Sequence, residues 1–160
     1  MRKFTATMFG VVTMIGLLSY PSATVEAQGR SYGDRYVRTY SKADVDRVIR
    51  RAEDRSDIFR RTVDDQLDRS RLNGSRTEDR INEQVKQLEN ALDDLRSEFN
   101  RRSSWMDTRV DVERVMRQSN EVNSIVRRTR FGTKVEREWE ILRSDLNTLA
   151  GVYNLRPIRS

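Results

Sequence analysis

Two runs of apolar residues that step alternately by four and three positions constrain this chain more than anything else in it. Ile81, Val85, Leu88, Leu92, Leu95 and Phe99 form one run, and Val135, Trp139, Leu142, Leu146, Leu149 and Tyr153 form the other. That spacing lays a continuous stripe along one face of an α-helix and matches no strand, whose side chains alternate with a period of two. Weaker stripes precede each run: Val45, Val48, Ile49, Ala52, Phe59, Val63 and Leu67 before the first, and Val112, Val115, Met116, Val122, Ile125 and Val126 before the second. The pattern predicts an all-α protein of four amphipathic helices.

The four helices read as two copies of one unit. Asp44 to Arg61 (DVDRVIRRAEDRSDIFRR) set over Asp111 to Arg128 (DVERVMRQSNEVNSIVRR) is identical at eight positions without a gap. Arg80 to Asn100 aligns likewise with Lys134 to Asn154, bringing Leu88, Leu92, Leu95 and Asn100 onto Leu142, Leu146, Leu149 and Asn154. Self-similarity at this scale implies a repeated supersecondary unit. One amphipathic hairpin cannot hide its own stripe. The expected fold is therefore an antiparallel four-helix bundle built from two tandem, related helical hairpins, at 41–100 and 108–154, within a bundle spanning 41–155 and followed by a tail at 156–160.

Turn and cap signals fit these boundaries. Ser41 with Asp44 and Thr108 with Asp111 read as N-caps of the first arms, while Ser75 with Glu78 and Thr133 with Glu136 have capping-box spacing at the start of the second arms. Asn73-Gly74 and Phe131-Gly132 break the arms, and Asn100 and Asn154 suit left-handed C-terminal caps. The first arm is expected to reach about Leu72, so that its Val63–Leu72 end overhangs its neighbours and offers a surface for a homodimer.

The N-terminus reads as an address. Arg2 and Lys3 precede an apolar run from Met8 to Leu18, Ser19-Tyr20-Pro21 interrupts it, and Val25-Glu26-Ala27 offers a small-residue cleavage site. This order is that of a secretory signal peptide at 1–27, cut after Ala27. Its apolar run is shorter than the ~20 residues of a membrane span, and no transmembrane span is expected once it is removed. Residues 28–40 interleave Arg30, Arg35 and Arg38 with Tyr32, Tyr36 and Tyr40 and show no helical period, so they read as a flexible Arg/Tyr-rich segment. The expected location is the periplasm or the exterior.

The chemistry is bounded mainly by what is missing. The 160 residues contain neither Cys nor His, which removes thiol nucleophiles, disulfides, imidazole bases and the common zinc, haem and copper ligands. Carboxylates such as Asp64-Asp65 and Asp93 lie three or four residues from arginines, and together with Asp94 and Asp145 they read as ion-pair partners rather than acid–base pairs. No EF-hand spacing or Glu-x-x-His set is present. The expectation is no catalytic residue, no metal and no cofactor.

What remains is a guanidinium-rich surface. The net charge is +6 with only four lysines among 31 basic residues, and guanidinium favours phosphate and carboxylate partners. The candidate anion- or partner-binding residues are Arg60, Arg61, Arg101, Arg102, Arg127, Arg128 and Arg130, together with Trp105 in the connection between the hairpins, while Trp139 falls on a stripe and reads as core. The preferred reading is a non-enzymatic helical binding protein of the bacterial envelope that meets a protein partner or an anionic envelope component. An arginine-driven binder of anionic polymer or lipid surface is the alternative, an enzyme the outsider, and nucleic acid is disfavoured as a partner.

The stretches SRLNGSRTEDRINEQVKQLENALDDLRSEF (Ser70 to Phe99) and WEILRSDLNTLAGVYNL (Trp139 to Leu155) resemble a group of uncharacterised exported helical-bundle proteins of soil-type bacteria that carry a W-x-x-L-R-x-D-L-N-x-L-A motif. The resemblance implies export and an all-helical fold. It attaches no activity, cofactor or site residue.

Overall fold

In the computed structural model, residues 40–160 are described; the signal peptide expected at 1–27 and all of the Arg/Tyr-rich segment except Tyr40 lie outside them. The apolar stripes fold as the 4-3 period dictates. Four α-helices, α1 (Lys42–Asp68), α2 (Arg76–Arg101), α3 (Arg109–Thr129) and α4 (Thr133–Val152), are joined by short turns, with a single 3-10 turn at Trp105–Thr108 ahead of α3. Among the described residues there is no strand, and no helix is long and apolar enough to cross a membrane.

The helices form a bundle in which α1 packs on α2 and α4, and α3 packs on the same two neighbours. α1 and α3 thus face each other across a diagonal. Asp46 meets Arg96 and Arg60 meets Glu89 between α1 and α2; Arg51 meets Asp145 and Phe59 meets Trp139 between α1 and α4. Asn123 holds Trp139, and Arg109 holds the Tyr153 carbonyl, between α3 and α4. Every residue of the Ile81–Phe99 and Val135–Tyr153 stripes is buried. Fully burying one such side chain contributes about 1.5–3 kcal/mol, and these positions together form one continuous core.

The helix ends agree with the sequence in part: the breaks at Asn73-Gly74 and Phe131-Gly132 fall between helices, whereas the caps are mixed. Ser41 is the N-cap expected and closes a full capping box, its hydroxyl accepting from the Asp44 N–H while the Asp44 carboxylate accepts from the Ser41 N–H. α4 stops in a Schellman arrangement: Asn154 adopts φ 55°, its N–H bonds the Gly151 carbonyl, and the Leu155 N–H bonds the Ala150 carbonyl at 2.8 Å. Ser75 caps α2, yet Glu78 reaches past it to the Gly74 N–H, closing the turn rather than the box. Asn100 caps nothing, because α2 continues to Arg101. Thr108 does not cap α3; its hydroxyl donates to the Trp105 carbonyl or pairs with the Tyr153 hydroxyl. Thr133 is the first residue of α4 rather than its cap, a position taken by Gly132.

Gly132 sits at φ 109°, ψ 165°, a backbone region that is essentially restricted to glycine. A Cβ there would meet no neighbouring atom, so any penalty is purely torsional. Gly132→Ala is expected to destabilise the protein by about 1–3 kcal/mol, read as a lower urea midpoint with an unchanged m-value.

Two expectations about loose ends are corrected. The first arm does not overhang: α1 ends at Asp68, not Leu72, and Val63 and Leu67 are fully buried. The apolar face that motivated a homodimer is therefore inside the bundle. Residues 156–160, read as a tail, pack onto α3 and α4, and Ile158 is only 2% exposed.

Candidate functional site

The seven candidate arginines do not converge. Arg60 lies on α1 and is drawn into the fold, pairing with Glu89 of α2 at 2.9 Å and with Asp64 one turn along at 3.3 Å. Burial pushes the Asp64 carboxyl up against the pull of Arg60, with Asp65, Asp68 and Glu78 adding to the rise. Arg60 is thus a bridging residue more than a surface cation. Arg61 is exposed and donates to the Asp57 carbonyl one turn back.

Arg101 and Arg102 stand at the end of α2 and both pair with the Glu98 carboxylate. The Arg102 carbonyl also accepts from Lys42 at 2.6 Å, tying the end of α2 to the start of α1. Their charge is largely answered from within one helical turn, the arrangement for which surface pairs contribute little to stability.

Arg127, Arg128 and Arg130 behave differently. They occupy the last turn and C-cap of α3, where the helix dipole favours cations. Arg127 donates to the main-chain oxygen of Ser160 and Arg128 to the Ser124 carbonyl, both at 3.1 Å, and neither Arg128 nor Arg130 pairs with a carboxylate of the described residues. Arg130 holds the left-handed conformation, φ 49°, that turns the chain toward Phe131 and Gly132. Lys134 follows in the first turn of α4. Between Glu121 and Glu136 the sequence holds these four cations and no acidic residue. This corner is the densest uncompensated charge on the candidate surface.

A neighbouring feature was not legible in the sequence. A cleft of about 830 Å³ runs between α1 and α4, lined by Ile58 and Ile141 together with Arg51, Arg55 and Arg137. Arg51 is engaged by Asp145 at 3.1 Å, whereas Arg55 and Arg137 have no carboxylate partner among the described residues. Single arginines spaced along two helices form no doublet, and only the packing of α1 on α4 brings them to one cleft.

Trp105 lies at the opposite end of the bundle from the α3–α4 turn, half-buried and set edge-on against Tyr153, with ring centres 5.2 Å apart and planes at 88°. Its carbonyl accepts from Thr108 at 2.7 Å and from the Tyr153 hydroxyl at 3.1 Å. Burial raises the Tyr153 phenol above its ordinary pKa, with the Thr108 hydrogen bond opposing. Trp105 therefore closes one end of the core. Beside it in sequence, Met106 and Val110 are each 64% exposed, the only large apolar side chains so exposed among the described residues. They fall outside every stripe, and that was the one signal by which they could have been found.

The described residues contain no cluster of carboxylates with metal-binding geometry. Comparison with known proteins finds no matching family model, no matching curated protein and no matching solved structure.

Proposed function

We propose that this chain is a non-enzymatic binding protein of the bacterial envelope, delivered by its leader to the periplasm or beyond, that attaches through its cationic surface to an anionic envelope component. Its scaffold is read as an antiparallel four-helix bundle of two tandem, related hairpins. The order of contacts supports this: partners rise along α1 from Asp46 to Arg60 as they fall along α2 from Arg96 to Glu89. Burial supports the duplication, since Val45, Val48 and Ile49 are hidden as are Val112, Val115 and Met116, and buried Ser56 corresponds to buried Asn123.

The observation that carries the functional reading is the division among the arginines. Those at 60, 101 and 102 are answered by carboxylates and Arg127 is taken up by Ser160, while Arg128, Arg130 and Lys134 form a corner that no carboxylate of the described residues answers. Planar guanidinium groups of this kind suit phosphate or carboxylate groups on a polymer or lipid surface.

The test is co-sedimentation of Gln28–Ser160 with anionic and with zwitterionic vesicles at about 0.1 M and about 1 M salt, across which the screening length falls from ~10 to ~3 Å. Binding is expected only to the anionic vesicles and only at low salt. An anionic surface contributes about 1 kcal/mol per nearby cation, so Arg128→Gln with Arg130→Gln should weaken binding about thirtyfold, and Arg101→Gln with Arg102→Gln much less. Salt-insensitive binding, or equal loss in the two double variants, would remove the corner from the mechanism.

Exposed Met106 and Val110 favour a second reading, a protein partner met at the Trp105 end. Its signature is contact that survives high salt, detected by photo-crosslinking from position 106 in the intact envelope.

A further inference from the structure

The seam between α3 and α4 contains side chains arranged to hold a main chain that is not helical. Asn147 uses both ends of its amide on one residue: Oδ1 accepts from the Ile158 N–H at 2.7 Å and Nδ2 donates to the Ile158 carbonyl at 3.3 Å. That is the donor–acceptor pair a neighbouring β-strand would present. Asn123, itself buried, accepts from the Trp139 indole at 3.0 Å and donates to the Arg159 carbonyl at 3.0 Å. Arg127 reaches the main-chain oxygen of Ser160 at 3.1 Å and Arg143 the Ser160 hydroxyl at 2.8 Å. Of the segment's side chains, Ile158 is the one that joins the core, and the Ser160 hydroxyl is the one that accepts a hydrogen bond.

This pattern is directed mainly at main-chain groups. The partners lie on two helices, and they address successive residues of the strap from 158 to 160. Asn123 and Asn147 would lose hydrogen bonds in a partly buried seam if nothing lay there. Recognition falls on the backbone plus one aliphatic pocket, the combination by which extended-peptide grooves gain affinity from main-chain bonds and selectivity from side-chain pockets. The strap does not fill its face: a cleft of about 660 Å³ lies beside it, bordered by Glu140, Arg143, Ser144 and Thr148 of α4.

We infer that the α3–α4 seam is a peptide-binding groove, occupied in cis by residues 156–160, which accepts from a partner an irregular segment bearing an aliphatic residue directly after a proline. The partner's chemistry is set by the occupant: Pro157 restricts the backbone before the pocket and Ile158 fills it. The strap is displaceable because its few hydrogen bonds and single buried side chain are opposed by the entropy of ordering its residues. α4 ends in its own Schellman turn at Asn154 and Leu155, so the helix does not need the strap to terminate. The groove does not depend on the cationic corner acting on an anionic surface.

The probe is a fluorescein-labelled hexapeptide, Leu-Arg-Pro-Ile-Arg-Ser, blocked at its C-terminus and titrated against the full mature chain by anisotropy. A closed strap weakens apparent affinity by the fraction of molecules that are open. Ile158→Asp, which withdraws the strap, should therefore bind the peptide at least about tenfold more tightly than the wild type. Adding Asn147→Leu should abolish that gain, and a peptide with Asp in place of Ile should not bind. A folded Ile158→Asp variant that binds no better than wild type, or binding indifferent to Asn147→Leu, would overturn the proposal. If Ile158→Asp fails to fold, unlabelled peptide added in excess to the wild type decides: faster amide exchange at 156–160 supports displacement, and unchanged exchange refutes it. A wild-type dimer that the peptide dissociates would put a second copy's strap in the groove and overturn the assignment to a separate partner.

Discussion

Replacing Trp139 with alanine is expected to destabilise the bundle by about 3–5 kcal/mol, a large part of the ~5–15 kcal/mol that holds a typical domain together. Trp139 is 1% exposed and the largest fully buried side chain; its ring lies 5.3 Å from that of Phe59 and its indole N–H donates to Asn123. The substitution opens a cavity where α1, α3 and α4 meet and leaves Asn123 Oδ1 without its donor. Trp139→Phe keeps most of the volume and loses the hydrogen bond, so it should destabilise by about 1–3 kcal/mol, the penalty of one buried polar group left unpaired. Trp105→Ala, at a half-buried end, should fall below both. Urea unfolding of the three variants gives the order directly; a Trp139→Ala effect no larger than that of Trp105→Ala would mean that the indole is not packed as described.

The same residue shows how much of the fold could be read in advance. The helical stripes were legible because apolar residues carry the period on their own: Leu88, Leu92, Leu95, Leu142, Leu146 and Leu149 are all buried. Polar residues on the inner face were not. Ser119 and Thr62 are buried, each hydrogen-bonded to the carbonyl four residues back, and from sequence such residues look like surface. Asn123 was missed for the same reason, since its partners, Trp139 and Arg159, lie elsewhere in the chain. In the sequence alignment of 44–61 with 111–128 and of 80–100 with 134–154, Ser56 stands over Asn123 and Val85 over Trp139. Valine offers no donor, and the Ser56 hydroxyl is buried without a partner.

The candidate site was legible only as composition. Doublets mark where arginines are dense, but whether a guanidinium is free depends on which carboxylate the packing brings to it. Arg60 and Arg127 align when the sequence 44–61 is set over 111–128, yet one bridges to Glu89 and the other reaches the main-chain oxygen of Ser160. The segment 156–160 has no helical period and contains a proline, so nothing local distinguishes a docked strap from a tail. Its docking is written in Asn123 and Asn147, on other helices.

Removing Arg96 is expected to produce the other large effect, and to do so in a pH-dependent way. Arg96 is 18% exposed and lies between two carboxylates of α1, Asp46 at 2.6 Å and Glu53 at 3.7 Å. Burial raises the Glu53 pKa from 4.5 to about 7, Arg96 opposing and Asp93, Asp54 and Asp57 adding to the rise. Burial also opposes ionisation of Asp46, but Arg96 and Arg50 together hold it below its ordinary value. The two carboxyls therefore act on stability in opposite directions. Glu53 binds its proton more tightly folded than unfolded, so its contribution is complete below pH 4.5 and is lost as pH rises through about 7. Asp46 contributes above its ordinary pKa of 3.8 and loses that contribution as pH falls through its lowered value. Glu53→Gln should accordingly match the wild type near pH 4 and exceed it in stability near pH 8. Arg96→Met should destabilise by about 3 kcal/mol near pH 8, the scale for stripping one partner from a buried ionic cluster, because Glu53 is then left charged with Asp93 nearby, while Asp46 keeps Arg50 alone. The loss should shrink as pH falls and Glu53 takes up its proton, and Glu53→Gln in the Arg96→Met background should restore part of it. Urea midpoints of the four proteins from pH 4 to pH 8 test the scheme. Parallel pH profiles for the wild type and Glu53→Gln would show that the carboxyl is ordinarily hydrated, and an Arg96→Met loss independent of pH would show that the arginine acts through packing of its stem rather than through its charge.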